Sequence, residues 1–178
     1  FGAATASNGA VGLYHTDKLT PEAVAQGESL IAEGAKVYVI DDAELDRVKN
    51  NYPVMWKDKN ATPKLCFVGC PHLSYDQLVE WTENVCESLK KNGRSKVSIP
   101  TVFTAAPAVV EKFNATPNAA KLKATGVVLS YICPLMYMNN PLAGKMPVIT
   151  NSNKLRTYTT SRYYTSAEIL DIITKEAK

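Results

Sequence analysis

The sequence has little of what marks a membrane, nucleic-acid-binding or secreted protein. No apolar run approaches the roughly 20 residues that a membrane span needs. The formal net charge is only +3, and no basic stripe interleaved with aromatic residues is present, so neither a membrane nor a nucleic-acid partner is expected. The four cysteines do not have the spacing of a secreted disulfide framework and contain no Cys-x-x-Cys pair, which favours reduced thiols in a cytoplasmic protein.

The amino terminus also lacks the pattern of a signal peptide. It begins at Phe1 and continues through a run of small residues, 2–10, without a basic region or a long apolar stretch. We therefore predict that the chain begins within a larger gene product. A small-residue loop would allow the backbone to approach an anion closely, although tight helix packing explains the composition equally well.

What the sequence does have is the composition of a globular α/β protein. Its apolar fraction of 46% can build a core without disulfides. Strands alternating with helices predict a mostly parallel sheet with helices on both faces, in a single α/β domain over residues 1–178. Apolar, β-branched runs predict strands at residues 36–41, 65–68, 97–104, 126–130 and 148–150. Caps and apolar periodicity predict helices at residues 20–33, 42–50 and 107–113 and from residues 74 and 165.

The tetrapeptide Gly69-Cys70-Pro71-His72 is the most distinctive motif. It follows a short apolar run, so a strand is predicted to stop at Gly69 and to expose a thiol and an imidazole before a helix. Ligands gather at the carboxyl ends of strands in open α/β sheets. The thiol could bind iron or zinc, attack a substrate, or pack in the core. A Cys70–His72 nucleophile pair is disfavoured, because strand-end residues two positions apart rarely face each other.

A second cysteine repeats this local pattern. Cys70 and Cys133 each follow an apolar strand and precede a proline, which favours an extended backbone at the cysteine. In a parallel sheet both thiols would lie at the carboxyl edge, where loops of this kind hold iron–sulfur clusters. Core packing is the alternative, because free cysteine is among the most buried residue types. For Cys66 and Cys86, core packing is the better interpretation.

A polar run, Thr150-Asn151-Ser152-Asn153-Lys154, follows another predicted strand at the same edge. Its hydroxyls, amides and ammonium suit a carboxylate or a phosphate, although a solvated turn has the same composition. His72 is a candidate ligand or general acid, with a hydrogen bond at the helix entry as the alternative.

Taken together, these segments resemble the aconitase X family, and specifically the carboxyl-terminal part of its large subunit. They occur in the family's order through nearly the whole chain, and Gly-Cys-Pro-His is fairly specific. The resemblance implies an aconitase-like three-layer fold. The segments that resemble the family are residues 1–15, 20–23, 68–74, 130–134 and 150–154.

Members of this family are hydro-lyases that dehydrate small hydroxy acids, including cis-3-hydroxy-L-proline in bacteria and mevalonate 5-phosphate in archaea. The resemblance implies an iron or iron–sulfur centre held by cysteines, here Cys70 and Cys133. It also implies two partners, the remainder of the large subunit and a small swivelling domain, so this chain alone is expected to turn nothing over. It places the following residues near the substrate: Gly2, Ala3, Ser7, His72, Asn151, Ser152 and Lys154.

Two positions depart from the family pattern. The family usually has an acid two positions before its second cysteine, where this chain has Tyr131. A third cysteine is expected early in the last helix, where this chain has Ala167-Glu168-Ile169-Leu170. A three-cysteine cluster therefore cannot be built from the matching positions. This leaves open a second hypothesis, a diverged domain that keeps the fold and binds a ligand or partner without catalysis.

Overall fold

The computed structural model describes residues 1–176, apart from the side chain of Asn8. The chain divides into two units, Phe1–Tyr52 and the residues from Pro53 onward. The first unit contains helices α1 (Gly2–Gly9), α2 (Pro21–Gln26) and α3 (Asp42–Asn50), with a 3-10 turn at Gly27–Leu30.

Local chemistry explains the helices of the first unit. Pro21 is at the first helical position of α2, where a missing amide hydrogen costs nothing. The carboxylate of Asp41 caps α3 by accepting the Glu44 amide at 2.8 Å. Two predictions for this unit are wrong. The helix predicted for residues 20–33 ends at Gln26, and the strand predicted for residues 36–41 is not formed.

The second unit alternates strands and helices. Its strands are β1 (Leu65–Leu73), β2 (Thr101–Ala105), β3 (Val128–Ser130), β4 (Val148–Thr150) and β5 (Arg162–Tyr163). Its helices are α4 (Tyr75–Lys91), α5 (Pro107–Asn114), α6 (Pro117–Ala124), α7 (Pro134–Met138), α8 (Asn153–Tyr158) and α9 (Ser166–Thr174), with a 3-10 turn at Ala143–Lys145.

The five strands form one parallel sheet in the order β3-β2-β1-β4-β5. Successive strand residues point to opposite faces, and this alternation builds two cores. Cys66 and Val68 pack with α4 and α9 on one face, whereas Phe67 packs beside Met138 of α7 and Leu155 of α8 on the other. Helices therefore cover both faces of the sheet, and the predicted fold class is confirmed.

The structure differs from the sequence predictions within this unit. Strand β1 does not stop at Gly69 but continues to Leu73, with its register against β2 shifted between Val68 and Leu73. Helices α6, α7 and α8 were not predicted, because with eight, five and six residues they are too short to show a clear apolar stripe. Helix α4 was predicted from its stripe, and Ser74 and Gln77 form a capping box at its start.

None of the described helices is long and apolar enough to cross a lipid bilayer.

Candidate functional site

The candidate site lies at the carboxyl edge of the sheet, where β4 ends at Thr150 beside Phe67 and β1 continues to Leu73. Cys70 lies in β1, 8% exposed, and packs with Phe67, Met138, Val148 and Leu155. Its thiol therefore belongs to the face covered by α7 and α8.

Three groups from other elements act on the Cys70 thiol. Burial raises the pKa of Cys70, a hydrogen bond from Ser152 and the charge of Lys154 lower it, and the nearby Cys133 raises it. The structure thus brings together Cys70, Cys133, Ser152 and Lys154, although the sequence spreads them over three loops. The net effect on the Cys70 pKa is upward, because burial is the largest contribution.

The turn after β4 fixes the orientation of the Ser152 hydroxyl. Ser152 caps α8, and its Oγ accepts the Leu155 amide at 2.9 Å. Its own amide donates to Thr150 Oγ1 at 3.1 Å. The Ser152 side chain held in this turn is the group whose hydrogen bonding lowers the pKa of Cys70. Cys133 occupies the corresponding cap position of α7, and Pro134 begins that helix.

Only glycine fits at Gly69. Its φ is +111°, and a Cβ there would lie 2.3 Å from the backbone oxygen of Thr104 on β2. The Thr104 hydroxyl also donates to the Gly69 carbonyl at 2.6 Å. The Cys70–Pro71 peptide bond that follows is cis. The glycine of the motif therefore lets β1 approach β2 closely just before the thiol.

A polar pocket of about 350 Å³ lies beside the same motif, between β1 and helices α4 and α9. Asn151 Nδ2 donates to Ser166 Oγ at 3.1 Å on its wall. His72 also lines it, and the buried Nε2 of His72 has no hydrogen-bond partner among residues 1–176. The pocket is further lined by Cys70, Gln77, Glu80 and Asn84.

Three of these pocket residues were missed in the sequence. Gln77, Glu80 and Asn84 recur at helical spacing on α4 and form a polar stripe beside its buried one. This periodicity was visible in the sequence, but only the tertiary structure shows that the stripe faces a pocket rather than bulk solvent.

The remaining predicted substrate residues lie in the first unit. Gly2, Ala3 and Ser7 belong to helix α1, so this segment is helical rather than a loop around an anion. The Ser7 hydroxyl donates to the Ala3 carbonyl at 2.6 Å. A substrate role for these three residues stays a prediction.

Of the other two cysteines, Cys66 packs in the core as predicted, whereas the core packing predicted for Cys86 is not found, because Cys86 is only half-buried. Cys66 is fully buried, and burial raises its pKa far above the ordinary value. Cys86, on α4, is half-buried, and burial raises its pKa too, partly opposed by Lys121. All four cysteines are free thiols.

The described residues do not by themselves fit an iron–sulfur cluster, which is usually held by four thiolates. The charge of Cys133 acts on Cys70, but no group of three or more His, Cys, Asp or Glu side chains able to hold a metal occurs within residues 1–176. At the start of α9, where the third cysteine is expected, the Glu168 carboxylate accepts the Thr165 amide and hydroxyl at 2.7 and 2.8 Å. Glu168 is therefore engaged as a helix cap.

The sheet and its two helical layers define the class of protein as a three-layer α/β domain. At the carboxyl edge of its sheet this domain has two free thiols, Cys70 and Cys133, and a polar pocket. The model of the aconitase X third domain matches residues 63–174, more than half of the chain, and the chain belongs to the aconitase X family.

Relatives and a solved structure agree with this assignment. The chain is 29% identical over 108 residues to the phosphomevalonate dehydratase large subunit of Thermococcus kodakarensis, across 61% of this chain and 25% of the relative. It is 35% identical over 82 residues to the protein of the same name from Methanosarcina mazei, across 46% of this chain and 18% of the relative. The holo-form crystal structure of Thermococcus kodakaraensis aconitase X matches with a TM-score of 0.69 and 22% identity, across 96% of this chain and 42% of that chain, and shows the shared fold. The chain thus spans a quarter or less of the length of these curated relatives.

Proposed function

We propose that the chain is part of the large subunit of a hydro-lyase that removes water from a small hydroxy acid. One observation carries the proposal: Cys133, Ser152 and Lys154 all act on the Cys70 thiol, at the carboxyl edge of the sheet in an aconitase X domain. The named relatives are dehydratase large subunits, which supports the reaction class.

The site offers groups suited to an anionic hydroxy acid. Lys154 supplies positive charge beside Cys70, and Asn151 supplies an amide in the adjoining pocket. His72 adds an imidazole whose Nε2 has no partner in the described part of the chain. In a dehydration, a base takes a proton from one carbon, the electrons of that C–H bond form a C=C bond, and the C–O bond of the neighbouring carbon breaks as its hydroxyl gains a proton and leaves as water. These residues would hold the carboxylate and orient the bond that breaks.

The iron or iron–sulfur centre implied by the family resemblance would take Cys70 and Cys133 as two of its ligands. Its remaining ligands would have to come from outside the described residues. The remainder of the large subunit and a small swivelling domain are the proposed sources, and the reaction is assigned to that whole assembly.

A second candidate function is a diverged domain that binds a ligand or partner without catalysis. The engagement of Glu168 with Thr165 favours it, because that helix start offers no free ligand in place of the expected cysteine. Tyr131 also replaces the expected acid and is 62% exposed.

Metal analysis of the full-length large subunit separates these candidates. Iron and sulfide would be measured after anaerobic purification of the native protein and its Cys70→Ser, Cys133→Ser and Cys86→Ser variants. We expect the native protein and the Cys86→Ser control to bind iron, and the other two variants to lose most of it. A native protein without iron would exclude the metal centre, and iron that survives in both variants would exclude these ligands.

A dehydration assay then tests the substrate class. The large subunit would be combined with its small partner and offered mevalonate 5-phosphate or cis-3-hydroxy-L-proline, with product formation followed by mass spectrometry as loss of water. We expect Lys154→Gln to raise KM by roughly 10- to 100-fold, since a hydrogen bond to a charged group contributes about 1.5–3 kcal/mol. Saturable binding of either acid without turnover would instead support the second candidate.

A further inference from the structure

The most unusual exposed surface of the first unit is a run of four large apolar side chains at residues 37–40, which we call the 37–40 segment. Val37 is 89% exposed, Tyr38 68%, Val39 73% and Ile40 67%. Scattered apolar residues are normal on a protein surface, whereas a contiguous run marks a site of interaction.

The backbone of the 37–40 segment is also without partners. Its amides and carbonyls make no hydrogen bond to any residue of the described chain. An unpaired strand-like backbone is a template for pairing with another strand. Valine, tyrosine and isoleucine are the residue types that strands favour, which is why the sequence predicts a strand here that this chain alone does not complete.

The adjoining helix α3 anchors the segment. The Tyr38 hydroxyl donates to the Glu44 carboxylate, which also pairs with Arg47. Hydrogen bonds from Arg47 and Tyr38 lower the pKa of Glu44 to about 2, so the carboxylate stays charged across the ordinary pH range. Asp41, directly after the segment, caps the same helix. The contacts of Tyr38, within the segment, and of Asp41, directly after it, attach the segment to α3.

The apolar pattern indicates what kind of sheet the segment would join. In a strand, Val37 and Val39 would point to one face, and Tyr38 and Ile40 to the other. A strand that is apolar on both faces is typical of a parallel sheet covered by helices on both sides. An antiparallel sheet with one wet face would require alternation, which this run lacks.

We infer that the 37–40 segment is a strand that pairs with the exposed edge of a helix-covered sheet in another domain of the same large subunit. The proposed occupant is argued from chain length: the match to aconitase X covers 96% of this chain but only 42% of that one, so that chain has further residues able to supply a second sheet. The inference rests on the proposal that the chain works within a longer subunit, but it does not depend on the reaction.

Hydrogen exchange on the full-length large subunit tests the inference. Exchange at residues 37–40 would be followed by mass spectrometry and compared with a synthetic peptide of residues 34–42. Pairing predicts exchange slowed by on the order of 100-fold or more, because a buried sheet amide must open before it exchanges. Exchange at the peptide's rate would overturn the inference. Protection that disappears on dilution would assign the segment to a second copy and overturn it as well.

Variants sharpen the result. Val39→Asp should lower the protection of its neighbours, whereas Leu13→Asp, at a position 75% exposed in the same unit, should leave it unchanged. If the Val39→Asp variant does not fold, the comparison of the native subunit with the free peptide still tests the pairing. Dehydration activity measured on the same preparations distinguishes the proposed reaction from the proposed strand pairing. Protection without activity would contradict only the reaction, and activity without protection would contradict only the pairing.

Discussion

At the scale of single residues, the Cys70 thiol is controlled by neighbours that the sequence keeps far apart. Burial raises its pKa, while the Ser152 hydroxyl and the Lys154 charge oppose that rise. Ser152 was predicted to bind substrate. It is 5% exposed and bonded to the Leu155 amide, so its geometry suits support of the thiol. Its role in substrate binding stays a prediction.

Ser152→Ala should therefore raise the pKa of Cys70 further. The hydrogen bond that lowers the Cys70 pKa would be lost, whereas the burial that raises it would remain. Less thiolate would then be present at a given pH, and alkylation of Cys70 would slow. Peptide-resolved iodoacetamide labelling of metal-free protein across pH 6–10 would show the profile moved to higher pH.

Two further variants serve as controls for this shift. Ser152→Thr keeps a hydroxyl and should restore the profile. Ser161→Ala removes another buried hydroxyl, which is bonded to Thr159, and should leave the profile unmoved. An unchanged profile in Ser152→Ala would show that the hydroxyl does not stabilise the thiolate.

At the scale of elements, the close contact of β1 with β2 positions the motif. Gly69 lies against Thr104 with a positive φ, a backbone conformation that residues with side chains rarely adopt. The strand therefore continues past the glycine, where the sequence predicted a stop, because the neighbouring strand constrains this position. Gly69 was predicted to end the strand, but its physical role is to allow a close approach between the backbones of β1 and β2.

Gly69→Ala should destabilise the second unit by about 3 kcal/mol, by combining backbone strain with overpacking. Gly93→Ala is the matched control, because Gly93 also has a positive φ of +66° but nothing within 4 Å of an added Cβ. We expect it to cost only about 1 kcal/mol. Chemical denaturation of both variants would measure the difference, and equal losses would refute the close contact as the cause.

At the scale of the whole molecule, both cores lie entirely within the second unit. The family match begins at residue 63, but the core begins earlier. Trp56 is only 6% exposed, and the Arg162 guanidinium lies 5.6 Å from the centre of its ring. The burial of Trp56 was not predicted, because the sequence predicted no strand or helix between residues 50 and 65.

We therefore predict that a protein of residues 53–178 folds on its own in one cooperative transition. Within it, Trp56→Ala should cost about 3–5 kcal/mol, as large buried aromatic residues do. Met55→Ala, at a neighbour that is 61% exposed, should cost well under 1 kcal/mol. Thermal and urea unfolding would measure both. A 53–178 protein that melts without cooperativity would show that its cores need other parts of the chain.

The sequence by itself determined the fold class and the motif. Apolar strand runs and helical patterns with caps such as Thr165–Glu168 are local properties, which can be recognised in consecutive residues. The aconitase X resemblance likewise depended on short, ordered motifs. The same local pattern also predicted a strand at residues 36–41, which failed because a strand requires a partner that local sequence does not supply.

Only the tertiary structure decided what surrounds the Gly69-Cys70-Pro71-His72 motif. Cys70 and His72 both line the pocket beside α4 and α9. Cys70 also packs with residues of α7 and α8, and Cys133, Ser152 and Lys154 act on its thiol. Side chains from β1, α7 and α8 meet there because parallel strands bring their carboxyl ends to one edge. Distances between such groups depend on strand order and register, which a one-dimensional pattern does not contain.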